Sequence, residues 1–143
     1  MIKDSGVRRE FESGAVRDIQ EGKGRCDLLP MNVMHSLTGD MFFYNIDKFN
    51  EHHDLTYIYS LIKSFAVKAF GNMQVALLEL SIHFEEGAIK YGENNWQKGI
   101  PENCYIDSAI RHYLKWINGD KDERHDRAVL WNLICLCYEH ERK

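Results

Sequence analysis

Glu79, His83, Glu86 and Lys90 recur at intervals of four, three and four, and so share one line of a helix turning about 100° per residue. Within NMQVALLELSIHFEEGAIKY, Asn72 to Tyr91, that line runs between two apolar flanks. Met73, Leu77, Leu80, Phe84 and Tyr91 form one flank, and Val75, Leu78, Ile82 and Ile89 form the other. A helix apolar on both flanks is expected to be covered on both, which draws its charged line toward the interior. Carboxylates taken out of water need ion pairing, protonation or a bound metal. Two readings are open. One is a pair of i,i+4 contacts, Glu79 with His83 and Glu86 with Lys90, each worth roughly a few tenths of a kcal/mol on a solvated face. The other is a wall that holds a divalent ion.

Further candidates stand on other segments. Asp107, Ser108, Arg111 and His112 occupy the polar arc of a helix expected from Cys104 to Asn118, opposite Ile106, Ile110, Tyr113 and Ile117. In AVLWNLICLCY, Asn132 is the one conventional polar residue, and a buried amide needs hydrogen bonds. It lies seven residues after His125, on the same helical line, with Asp122 just before. Near the start, Gly22 to Arg25 reads GKGR, which is not a phosphate-binding P-loop because Gly follows Lys23 where Ser or Thr is required. That segment still presents Arg17, Lys23 and Arg25 on a glycine-punctuated backbone able to approach an anion. HExxH, GxSxG and EF-hand spacings do not occur, which argues against a zinc protease, a serine hydrolase and a calcium sensor.

The elements needed to position these groups are helical. Leu55, Ile58, Tyr59, Ile62, Phe65, Ala66 and Ala69 predict a helix over 51–70, stopped by Gly71. The Asn72 to Tyr91 helix, the Cys104 helix and a last helix from Asp122 to Glu141 follow. Residues 31–49 suggest a short helix and a turn, and 1–30 an irregular polar arm. No strand alternation competes, so the expected fold is an all-α bundle of about four to five helices. The 143 residues are expected to make one domain, with the arm at 1–30 contributing to binding and the bundle core at 51–142. Hydrophobic residues are 44% and charged residues 28%, an ordinary globular balance. A net charge of −4 gives no support for a nucleic-acid or membrane partner. The absence of a signal-like apolar start or an apolar run approaching ~18 residues predicts a cytoplasmic protein. Cys26, Cys104, Cys135 and Cys137 contain no CxxC pair and read as reduced thiols.

Four blocks in order carry a resemblance: SGAVRDIQEGKGRCDLLP (Ser13 to Pro30), ELSIHFEEGAIKYGENNWQKGIP (Glu79 to Pro101), DSAIRHY (Asp107 to Tyr113) and GDKDERHDRAVLWN (Gly119 to Asn132). Together they resemble the phage-type dATP/dGTP diphosphohydrolases, the MazZ-like branch of the all-α MazG-type nucleotide pyrophosphohydrolases, with about 31 to 70 unmatched. The resemblance implies hydrolysis of a purine deoxynucleoside triphosphate, dGTP or dATP, to the monophosphate and pyrophosphate. It also implies Mg²⁺ or Mn²⁺ held by carboxylates of two helices, a homodimer or homotetramer, and the host cytoplasm if the gene is a phage's. The family's first ExxE is replaced here by His83 and Glu86, and the literal ExxD falls only at Glu123 to Asp126, so the second ligand pair stays open. Glu79, His83, Glu86 and Asp107 are the expected metal ligands, with His83 either a ligand or an orienting group. Glu86, Asp107 and His83 are the expected catalytic residues. Lys23, Arg25 and Arg111 are expected on phosphate oxygens, and Asp122, His125 and Asn132 at the site or the base. A dNTP triphosphohydrolase and a noncatalytic nucleotide-sensing bundle are the alternatives.

Overall fold

The computed structural model describes residues 3–143. Six α-helices dominate them: α1 (Met31–Thr38), α2 (Met41–His52), α3 (Thr56–Phe70), α4 (Met73–Tyr91), α5 (Glu102–Asn118) and α6 (His125–Glu141). The all-α expectation holds, with one addition in the arm. Strands β1 (Arg8–Glu10) and β2 (Val16–Asp18) pair antiparallel, with Arg9 opposite Arg17. Three-residue strands leave no periodic signal, and this pair is steadied from outside. The buried Asn95 accepts the Val16 N–H and donates to the Val16 carbonyl, both at 2.7 Å, so its amide acts as a further strand edge.

Helix limits follow local chemistry. Asn72 caps α4 by accepting the Val75 N–H at 2.9 Å, and Gly119 takes the left-handed conformation that closes α5. The helix expected over 51–70 is instead two. His53 adopts φ 55°, ending α2, and Asp54 then accepts the Thr56 N–H to start α3. Residues 31–49 likewise hold two helices, separated by left-handed Gly39 and by Asp40, which caps α2. The last helix starts at His125, leaving Asp122 and Glu123 in the preceding loop.

Helix α6 packs against α3, α4 and α5. That position explains why its buried residues, among them Val129, Leu133, Leu136 and Cys137, surround it rather than forming one stripe. Phe42 of α2 stacks on Tyr113 of α5 with ring centroids 3.8 Å apart, joining the first helices to this core. All four cysteines are free thiols, three of them buried, and burial pushes the Cys137 thiol up to about 12. Helix α4 departs from expectation on one flank. Its Met73, Leu80 and Phe84 side turns inward, though Leu77 of that side stays exposed, and on the other side Leu78 and Ile89 are 70% and 82% exposed in the single chain. Among the described residues no single helix is long and apolar enough to cross a membrane; only α3 and α4 taken together across a 92° bend pass that test.

Candidate active site

The arm hairpin, α4, α5 and α6 enclose a cavity of about 470 Å³. Seven cationic side chains contribute to its lining, from Lys3, Arg9, Arg17, Lys23, Lys90, Arg111 and Lys115, against three carboxylates, Asp4, Asp18 and Glu123. The chain is net acidic, so this concentration of positive charge is local and suits an anion. Of the residues expected from sequence, Lys23, His83, Arg111 and Asn132 line the cavity.

Arg17 is a half-buried cation of the cavity wall. Strand β2 carries the side chain inward, where it donates to Ser108 Oγ at 3.1 Å and to Asn132 Oδ1 at 3.3 Å. The guanidinium also lies 5.6 and 5.7 Å from the ring centroids of Tyr105 and Trp131. All these partners are neutral, and among the described residues no carboxylate pairs with Arg17. Burial accordingly lowers its pKa. Asn132 donates its Nδ2–H to the Ala128 carbonyl at 2.8 Å, which orients its Oδ1 toward Arg17.

The charged line of α4 faces inward, toward α6 and the arm, and meets different partners along its length. Glu79 accepts from Arg127 Nε at 2.7 Å and lies 3.7 Å from Arg124. Glu86 adds a weaker field at Arg124, whose chief partners are Asp126 and then Glu79. Lys90 donates to the Lys3 carbonyl. His83 stands beside Trp131, its Nδ1 buried without a hydrogen-bond partner among the described residues. Burial, followed by the fields of Arg127 and Arg17, lowers its pKa to about 4, so the imidazole is neutral near pH 7.

Asp107 is buried and already engaged. It accepts the Cys26 N–H at 2.6 Å and pairs with Arg111 at 2.5 Å, while Arg111 also donates to the Gly24 carbonyl. Arg25 pairs with Asp27 and does not line the cavity. His125 is buried, its Nε2 2.7 Å from Asp122 Oδ1 and its Nδ1 2.9 Å from His112 Nδ1. Among the described residues, the donor atoms that converge as a metal ligand set would are those of His112, Glu123 and His125, and of Asp120, Asp122 and His125. Glu79, His83, Glu86 and Asp107 do not converge in this way.

Arg9, Lys115 and Trp131 line the cavity without having been expected, while Arg17 and His112, candidates by their place in the arm and beside Arg111, had no expected role. The signal for Arg17 was its neighbour Val16 beside a glycine-rich arm, too short a pattern to give its direction. His112 had a clearer one, standing next to Arg111 and five residues after Asp107.

No curated protein and no solved structure matches the chain. The model for the N-terminal domain of dATP/dGTP diphosphohydrolase does match, over residues 48–143. That span includes α3 to α6 and three of the four resembling blocks, but not the arm. With two thirds of its length so matched, the chain belongs to the dATP/dGTP diphosphohydrolase family.

Proposed function

We propose that this chain hydrolyses a purine deoxynucleoside triphosphate, dGTP or dATP, to the monophosphate and pyrophosphate in the basic cavity. The observation that carries the reading is Arg17, a half-buried guanidinium in the cavity wall held, among the described residues, by neutral acceptors alone. Such a charge is costly unless an anion completes it, and a triphosphate supplies one. Arg111 is fixed by Asp107 and Gly24, and Lys23 by Asp18 at 3.1 Å, so both present charge on prepared supports. Trp131 and Tyr91 give the same cavity aromatic surface for a base.

Water would add to the α-phosphorus as the bond to the α,β-bridging oxygen breaks, with pyrophosphate leaving on that oxygen. His83 is neutral, and its Nδ1, buried and without a hydrogen-bond partner among the described residues, can accept the water's proton once substrate brings that water to it. Its low pKa comes partly from Arg127 and Arg17, and a bound polyanion would offset that field and make the imidazole more basic.

A bound Mg²⁺ or Mn²⁺ would neutralise phosphate oxygens and acidify water. Glu79, His83, Glu86 and Asp107 do not fit as one ligand set for it in this arrangement, since Arg127 neutralises Glu79 and Arg111 neutralises Asp107. Glu86 is the carboxylate of the four without an ion pair among the described residues. The exposed flank of α4 further supports assembly of two copies, which would cover it.

Purified protein given dGTP or dATP with Mg²⁺ or Mn²⁺ is expected to release the deoxynucleoside monophosphate and pyrophosphate, resolved by anion-exchange chromatography. Release of deoxynucleoside and tripolyphosphate would identify a triphosphohydrolase instead. Tight dNTP binding without turnover under either ion would identify a nucleotide sensor.

A further inference from the structure

At one end of the cavity, where the loop before α6 meets α5, two imidazoles face each other through the same ring atom. The Nδ1 atoms of His112 and His125 are 2.9 Å apart. Asp122 Oδ1 lies 2.7 Å from His125 Nε2 and, as a carboxylate, accepts that nitrogen's proton. In the tautomer with that proton on Nε2, His125 directs the Nδ1 lone pair at His112. This contact needs a proton or a cation between the two nitrogens.

We propose that the pair is a binding site for one divalent transition-metal ion of the Zn²⁺ kind, ligated by His112 Nδ1, His125 Nδ1 and a Glu123 carboxylate oxygen. Two nitrogens each ~2.1 Å from one tetrahedral ion stand about 3.4 Å apart, so the two Nδ1 atoms, now 2.9 Å apart, separate by roughly half an ångström to admit it. The three donor groups lie within 4.8 Å of one another, so a small movement of the Glu123 side chain closes the set. Asp122 gives His125 the carboxylate–imidazole support that metal-bound histidines commonly have. Lys3 pairs with the other oxygen of Asp122 at 2.6 Å, while its backbone N–H makes only a longer 3.3 Å bond to Glu123 Oε1, so Glu123 is the anionic donor nearer to hand. Two imidazoles favour a borderline transition metal over Mg²⁺, which takes oxygen ligands. His112 and Glu123 also line the cavity, so an ion here would sit at its wall.

Isothermal titration of chelator-stripped protein tests the site without measuring turnover. One equivalent of Zn²⁺ per chain is expected to bind at least about tenfold more tightly than Mg²⁺, and H112Q to weaken Zn²⁺ binding by about tenfold or more. E86A is expected to leave it unchanged, which separates this corner from the α4 line. E123Q, changed in the loop before α6, gives a second reading if H112Q fails to fold. Equal affinity for Zn²⁺ and Mg²⁺, or full Zn²⁺ affinity in either variant with wild-type circular dichroism, would overturn the site. Loss of this site would leave the hydrolysis reading intact, because that reading rests on Arg17 and product identity.

Discussion

The Arg17 guanidinium is half-buried beside Tyr105 and Trp131 and bonded to Ser108 and Asn132, with no anionic partner among the described residues. Replacing a buried charge with an apolar side chain of similar length is often neutral or stabilising. Arg17→Met is therefore expected to keep or raise the melting temperature while weakening dGTP binding by roughly tenfold or more, about 1.4 kcal/mol. Calorimetric melting and nucleotide titration measure the two effects, and unchanged affinity would remove Arg17 from the substrate site. His83 makes a second prediction, through pH. Its pKa is about 4 when folded and 6.5 in the absence of the fold, so between those values the unfolded chain binds more protons. Stability contributed by neutral His83 is complete above pH 6.5 and is lost as pH falls toward 4, by at most about 3 kcal/mol. His83→Gln should flatten that part of a urea-denaturation profile; an unaltered slope would show that other groups set it. Spacing alone aligned His83 with Glu79 and Glu86 and turned them inward. It could not supply Arg127, 48 positions beyond Glu79, whose guanidinium turns one expected metal ligand into half of an ion pair.

Among the elements, α4 and α5 were legible because their ends are written in adjacent residues, Asn72 and Gly92 for one, Pro101 and Gly119 for the other. The break between α2 and α3 was not. Apolar spacing continues past it, and the stop depends on the left-handed backbone of His53, a residue type that does not announce a turn as glycine does. The arm hairpin was hidden for a different reason. Its strands have three residues each, and the edge that steadies β2 is a side chain 79 positions away. Asn95→Ala removes both hydrogen bonds to Val16 and leaves that backbone without its partner. The expected cost is about 1–3 kcal/mol, with faster amide exchange at Val16 and a larger effect on KM than on kcat, because Arg17 follows Val16 into the cavity. Unchanged exchange at Val16 would mean that β1 and the core hold the strand without Asn95.

At the scale of the whole molecule, the covering expected for both flanks of α4 is only half met within one chain. Val75, Leu78, Ile82 and Ile89 recur at intervals of three, four and seven, and are 41%, 70%, 38% and 82% exposed. Glu79 and Glu86 turn toward α6, and the one charged side chain on the same line is the exposed Glu85, between Ile82 and Ile89. An apolar stripe of this length on a regular helix is suited to a second copy of itself, since a twofold axis across the helix sets the same four residues against each other. The charged line would then face away from the interface in both copies and keep each cavity with its own arm. Light scattering coupled to size-exclusion chromatography is expected to give at least twice the 16.8 kDa chain mass at micromolar concentration. Leu78→Glu combined with Ile89→Glu places two carboxylates at the stripe and should yield the monomer with unchanged helix content. A wild-type chain that stays monomeric at 100-fold higher concentration, or a double variant that still associates, would rule out this face as the contact between copies.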